Sequence, residues 1–238
     1  MVSIQFTSDV GLGKVAIAGF GLGFVMALHV CLFIWAYFLT DGDTWVYRNA
    51  VIQWSLYVVC LTFFHFSEFI STAAFKPGFV SYESFLLNHS DAYHMALAAG
   101  CVEFWLESHF FPELKYIHDV SSVGLFLIVL GASFRVGAMW TAKSNFSHRI
   151  EVAKRKEHTL VTHGVYKYIR HPSYFGWFYW SIGSQVFLCN PLCTLAYAAA
   201  SWSFFKDRIP YEEELLLEFF PVEYPAYKAR TFSGIPFI

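Results

Sequence analysis

The run GLGKVAIAGFGLGFVMALHVCLFIWAY, Gly11 through Tyr37, is almost unbroken apolar sequence with Lys14 as its one Lys, Arg, Asp or Glu residue. At about 1.5 Å of rise per helical residue it is long enough to cross the roughly 30 Å of bilayer hydrocarbon. It is too long for the apolar core of a cleavable signal and lacks a small-residue cleavage site, so it reads as a retained first span. Gly11 and Gly13, like Gly21 and Gly23, lie inside this run. They suit a close helix contact better than a dinucleotide loop.

Further apolar runs follow the first, and the 27 Phe residues concentrate in them. Six helical spans are expected over residues 11–38, 48–75, 85–110, 119–141, 174–189 and 191–206. The last two rise only about 24 Å, so they read as a short hairpin turned at Asn190-Pro191 beside longer helices or thinned lipid. Continuous rather than alternating apolarity argues against a β-barrel. The expected fold is therefore all-α: a polytopic membrane protein of about six transmembrane helices with a cytosolic C-terminal cofactor-binding region.

Composition supports this. Of 238 residues, 56% are hydrophobic and 21% aromatic, while 14% are charged, against about 25% in soluble domains. A small secreted protein, a coiled coil and a disordered tail are excluded. A net charge of −2 gives no electrostatic case for nucleic acid. Cys31, Cys60, Cys101, Cys189 and Cys193 form no disulfide pattern, and Cys189/Cys193 lacks the second pair a metal site needs.

Orientation follows from charge. Residues 142–173 hold Lys143, Arg149, Lys154, Arg155, Lys156, Lys167 and Arg170 against Glu151 and Glu157, which predicts a cytosolic loop. Counting back through four spans and forward through two puts both termini in the cytosol, with Lys14 and Lys76 on the same side. Asn88-His89-Ser90 and Asn145-Phe146-Ser147 match the glycosylation acceptor pattern, and this orientation leaves both unmodified. Residues 1–141 read as a four-helix anchor. Residues 142–238, comprising loop, hairpin and helical tail, hold most of the chemistry.

The richest stretch is Glu157-His158-Thr159-Leu160-Val161-Thr162-His163-Gly164-Val165-Tyr166-Lys167-Tyr168-Ile169-Arg170-His171-Pro172-Ser173-Tyr174. Its histidines, hydroxyls and aromatics suit a polar cofactor with an aromatic ring, or an interfacial belt. Pro172 fits a helix start. After the last span, Arg208 suits a carboxylate held by two parallel hydrogen bonds. Glu212 follows one turn later, if the chain is helical beyond Pro210, and suits hydroxyls or an amine. Glu213 and Glu214 read as solvated surface.

Ionisable groups at membrane depth usually pair or line a site. His65/Glu68 and His94/Glu107 read as hydrogen-bonding partners across helices, and Arg135 as a snorkelling cation. No zinc-protease, di-iron histidine, nucleophilic-serine or P-loop motif occurs.

At these stretches the chain resembles the isoprenylcysteine carboxyl methyltransferase family. The resemblance rests on Ser84-Phe85-Leu86-Leu87-Asn88-His89-Ser90, Ser144-Asn145-Phe146, Arg170-His171-Pro172-Ser173-Tyr174 and Gly176-Trp177-Phe178-Tyr179-Trp180. It continues through Phe219-Phe220, Glu223-Tyr224, Tyr227-Lys228 and Gly234-Ile235-Pro236-Phe237-Ile238. Some members look longer at the N-terminus, with two further spans. The resemblance implies S-adenosylmethionine as methyl donor, and as acceptor the α-carboxylate of a C-terminal S-prenylated cysteine in processed CaaX proteins such as small GTPases. It further implies an endoplasmic reticulum membrane location. Carried over residue by residue, it assigns donor binding to His158, Thr159, Leu160, Val161, Tyr166, His171, Pro172, Ser173, Tyr174 and Glu212, with Glu151 added where some members carry Gln. Arg208 falls on the acceptor, and Arg208 and Glu212 are the implied catalytic pair.

The implied chemistry is physically economical. A carboxyl of pKa about 3.5 is already ionised near neutrality, so catalysis leans on alignment and desolvation rather than on a strong base. Two alternatives from other classes stand beside this reading. A nicotinamide-dependent membrane sterol or enone reductase shares parts of the C-terminal pattern and would need more phosphate-binding capacity. A non-enzymatic transporter or scaffold would use the intramembrane histidines and acids, and a transporter should show an inverted repeat, which the sequence does not.

Overall fold

A computed structural model describes residues 11–40, 47–115, 117–154, 156 and 158–238. Arg155 and Glu157 of the basic loop lie outside the described residues. The α-helices are α1 (Leu12–Phe38), α2 (Arg48–Phe75), α3 (Asp91–Phe110), α4 (His118–Ala142), α5 (Pro172–Phe187), α6 (Pro191–Phe219) and α7 (Glu223–Ala229), joined partly by short 3₁₀ turns. No strand occurs among the described residues, although an isolated parallel bridge joins Ile169 to Phe232. Three helices, α1, α2 and the one beginning at His118, are long and apolar enough to cross a membrane. The outward side chains of α1, including Ile17, Phe20 and Phe24, are largely exposed, as lipid-facing residues are.

The expected six spans differ from the observed helices in three places. α3 starts at Asp91, not residue 85, because Ser90 Oγ accepts the Tyr93 N–H at 3.2 Å and Leu86 turns left-handed with φ 55°. That leaves 20 residues containing Asp91, Glu103 and Glu107. α5 has 16 residues. α6 has 29 and continues through Pro210 without a break. Proline there removes the bond to the Lys206 carbonyl, and the packing of Phe205 and Ile209 against Phe178 and Ile235 holds the helix on course.

The chain divides into two compact units: Met1–Phe126 with Gly183–Leu195, and Leu127–Ile182 with Ala196–Ile238. In the first unit, α1 packs along α2 and polar side chains secure the turns. His65 Nδ1–H donates to the Phe85 carbonyl at 2.8 Å and Nε2 accepts from Tyr93 at 2.9 Å. The expected His94/Glu107 pair does not form. His94 Nε2–H donates to the Leu87 carbonyl at 2.8 Å, while Glu107 receives Lys115 Nζ at 2.7 Å. Lys115 also donates to the carbonyls of Leu188 and Cys189 and to Asn190 Oδ1, at 2.9, 3.0 and 2.9 Å. The expected hairpin turn is thus built around a buried ammonium. Glu103 finishes it by accepting the N–H groups of Leu192 and Cys193, each at 2.7 Å, at the start of α6.

In the second unit, Gly131 and Gly176 face each other. A Cβ at Gly176 would lie 2.6 Å from both the Arg135 nitrogen and the Gly131 carbonyl oxygen. This close approach of backbones buries Arg135, which is 7% exposed and does not snorkel. Its Nη1–H donates to Ser173 Oγ at 2.6 Å, and its guanidinium lies over the rings of Phe146 and Trp177.

Candidate functional site

The second unit holds a cleft of about 720 Å³, open solvent at its mouth included. Four stretches of chain build it. The end of α4 and the turn after it supply Ala142, Asn145, Phe146 and Ser147. The loop beyond supplies His158, Thr159, Leu160, Val161 and Tyr166, tied down where the Thr159 N–H donates to Asn145 Oδ1 at 3.0 Å. Its turn is set by Gly164, at φ 58°, where a Cβ would fall 2.8 Å from Thr141. Arg170 and His171 lead into α5, whose first turn supplies Pro172, Ser173 and Tyr174. Pro172 opens the helix, its missing N–H costing nothing there.

The last wall comes from Glu212, Leu216 and Phe220, with Tyr224 and Tyr227 of α7. Phe220 and Phe219 pack edge-on against His158. Tyr227 donates to the Tyr166 carbonyl at 2.7 Å. Burial, aided by the Glu212 charge and Tyr227, raises the Tyr166 phenol above its ordinary value. Burial also pushes Tyr227 up to about 12, against the opposing pull of Arg170 and Arg230. Both phenols therefore stay protonated near neutrality.

Ten residues singled out from sequence line this cleft: His158, Thr159, Leu160, Val161, Tyr166, His171, Pro172, Ser173, Tyr174 and Glu212. Arg208 and Glu151 are not in the lining. Arg208 reaches it through Tyr174, whose hydroxyl accepts from Nε at 2.8 Å and donates to Glu212 Oε2 at 2.5 Å. Its Nη2 donates to the His148 carbonyl at 2.8 Å. Arginine has five N–H groups, so among the described residues the Nη1 edge keeps its donors available.

Sequence reasoning missed Glu213. It is 4% exposed, not solvated, and receives Arg170 Nε, His171 Nε2 at 3.1 Å and Lys228 Nζ at 2.5 Å. Burial alone would raise its pKa, but hydrogen bonds from His171, Arg170 and Lys228 outweigh that and hold it well below the usual carboxylate range. A signal was present: Phe205, Ile209 and Glu213 recur every fourth residue, on the stripe of α6 that is buried. Glu214 is exposed, as expected. Asn145, Phe146, Arg170, Tyr224 and Tyr227 also line the cleft.

A cleft with carboxylate, imidazole and phenol groups along aromatic walls thus lies in a helical, multi-pass membrane protein. Comparison makes the assignment specific. The chain belongs to the isoprenylcysteine carboxyl methyltransferase family, whose model matches residues 123–218. It is 50% identical over 182 residues to the protein-S-isoprenylcysteine O-methyltransferase of Tribolium castaneum, covering 76% of this chain and 65% of that one. It is 44% identical over 191 residues to the Dictyostelium discoideum enzyme of the same name, covering 80% of each. A solved structure of the eukaryotic intramembrane Ras methyltransferase superposes with a TM-score of 0.87 at 41% identity, over 100% of this chain and 80% of that one. The chain spans just under two thirds of the length of the first curated relatives it matches.

Proposed function

We propose that this protein transfers a methyl group from S-adenosylmethionine to the α-carboxylate of a C-terminal S-prenylated cysteine in processed CaaX proteins, forming a methyl ester. The observation that carries the reading is the Arg208–Tyr174–Glu212 chain at the edge of the aromatic cleft. The residues fit the donor. Leu160, Val161, Phe146 and Phe220 offer apolar and aromatic surface to a purine, and Glu212 and His171 offer acceptors to hydroxyl or amine hydrogens. When bound, S-adenosylmethionine supplies an electrophilic methyl group on a sulfonium. Arg208 holds the acceptor carboxylate through its Nη1 edge, a bidentate grip that fixes direction as well as charge. Tyr174 keeps Arg208 and Glu212 in register, and the aromatic walls exclude water from the reacting groups.

The same reading places residues 142–238 as the catalytic region, with both termini in the cytosol, six membrane-crossing helices and an endoplasmic reticulum location. Small GTPases and other prenylated proteins are the partners, and the bilayer retains their lipid, each buried methylene being worth about 0.8 kcal/mol. Glycosylation at Asn88 or Asn145 would overturn the orientation. The function is tested with purified protein, labelled S-adenosylmethionine and N-acetyl-S-farnesylcysteine. Base-labile methyl ester is expected on the prenylated compound alone. No transfer by folded protein in added lipid, or equal transfer to the non-prenylated analogue, overturns the reading.

A further inference from the structure

Two adjacent carboxylates face the two nitrogen edges of one imidazole, and of the two only Glu213 lies within hydrogen-bond distance. His171 Nε2 lies 3.1 Å from Glu213 Oε1, and Nδ1 lies 3.8 Å from Glu212 Oε2. An ionised carboxylate only accepts, so Nε2 bears the proton. The ring is buried and stacked on Tyr174, with centroids 5.4 Å apart and planes 4° apart. It therefore has little freedom to flip. Glu213 is itself anchored by Arg170 and by Lys228 at 2.5 Å, and Arg170 Nη1 is fastened in turn to the Thr231 carbonyl at 2.9 Å.

We propose that Glu213 is a positioning residue: it holds His171 as the Nε2–H tautomer and so presents Nδ1 to the cleft as a hydrogen-bond acceptor for the ammonium group of the methyl donor. This deepens the methyltransferase reading and rests on it. Nδ1 and Glu212 Oε2 are two acceptors 3.8 Å apart. A primary ammonium, whose three N–H bonds diverge, meets both, whereas a hydroxyl has one proton to give.

The test measures binding of S-adenosylhomocysteine and its deaminated analogue to wild-type, Glu213→Gln and Lys228→Ala proteins, alongside ¹⁵N spectra of the histidine rings with His171→Asn for assignment. Glu213→Gln is expected to weaken S-adenosylhomocysteine about tenfold, the scale of one hydrogen bond to a charged group. The deaminated analogue should change less than about twofold, and the wild-type spectrum should show Nε2–H. Equal losses for both compounds, an equal loss with Lys228→Ala, or an Nδ1–H ring in the wild type would overturn the proposal. Should Glu213→Gln not fold, the wild-type tautomer decides the link: an Nε2–H ring supports it and an Nδ1–H ring overturns it. Binding of neither compound by wild-type protein would overturn the donor reading and the ammonium assignment together, while the tautomer would still judge the Glu213–His171 link.

Discussion

The guanidinium of Arg208 meets the hydroxyl of Tyr174 at 2.8 Å, and that hydroxyl passes its own proton toward Glu212 at 2.5 Å. Two residues one helical turn apart are thus held by a third from another helix, not by each other. Tyr174→Phe removes both bonds while keeping the ring stack on His171. Hydrogen bonds to charged groups are worth about 1.5–3 kcal/mol, so kcat/KM should fall about 10- to 100-fold. Methyl-transfer kinetics on the variant, with circular dichroism to confirm retained helix, checks this.

Arg208→Lys keeps the charge but loses the fork, and one ammonium cannot serve Tyr174, the His148 carbonyl and a substrate carboxylate alike. A loss of at least about tenfold in kcat/KM is expected. Near-wild-type efficiency in the same assay would count against a bidentate grip.

The apolar runs made α1, α2 and α4 legible to within a residue or two, because a membrane span writes its length into composition. The start of α3 was less legible. Phe85, Leu86 and Leu87 look like span, and the Ser90 cap acts through backbone geometry that hydropathy does not register. At the site, the loop before α5 carried recognisable residues. Glu213 did not stand out among three consecutive glutamates, because its identity as the buried one depends on how α6 is rotated. Tyr224 and Tyr227 join the cleft only through the return of the tail.

Gly176 and Gly131 meet backbone to backbone, so Gly176→Ala must push two helices apart. Overpacking of this kind costs about 1–3 kcal/mol. A lower Tm in detergent, with reduced activity, is expected. An unchanged Tm would show that the contact is looser than the 2.6 Å approach implies.

Glu213 links stability to acidity. Its folded pKa lies below the ordinary 4.5, so its stabilising contribution is complete above pH 4.5 and is lost as pH falls further toward the folded value. The Tm gap between wild-type and Glu213→Gln proteins should accordingly narrow on acidification below that point. A gap independent of pH would contradict the ion-pair account.

Lys115→Met leaves Glu107 and the turn carbonyls facing one another without their cation. Removing one partner of a buried pair costs about 3–5 kcal/mol, so the variant should unfold at markedly lower temperature. Glu107→Gln, which keeps a neutral acceptor for Lys115, should lose less in the same melting experiment.

The cleft draws Tyr224 and Tyr227 from α7, and the Ile169–Phe232 bridge fastens that segment back onto the chain. During synthesis, every apolar helix emerges before these residues do. A nascent chain can therefore be fully lodged in the bilayer while its cleft still lacks a wall. A chain stopped before residue 224 would keep its apolar helices and lack that wall of the cleft.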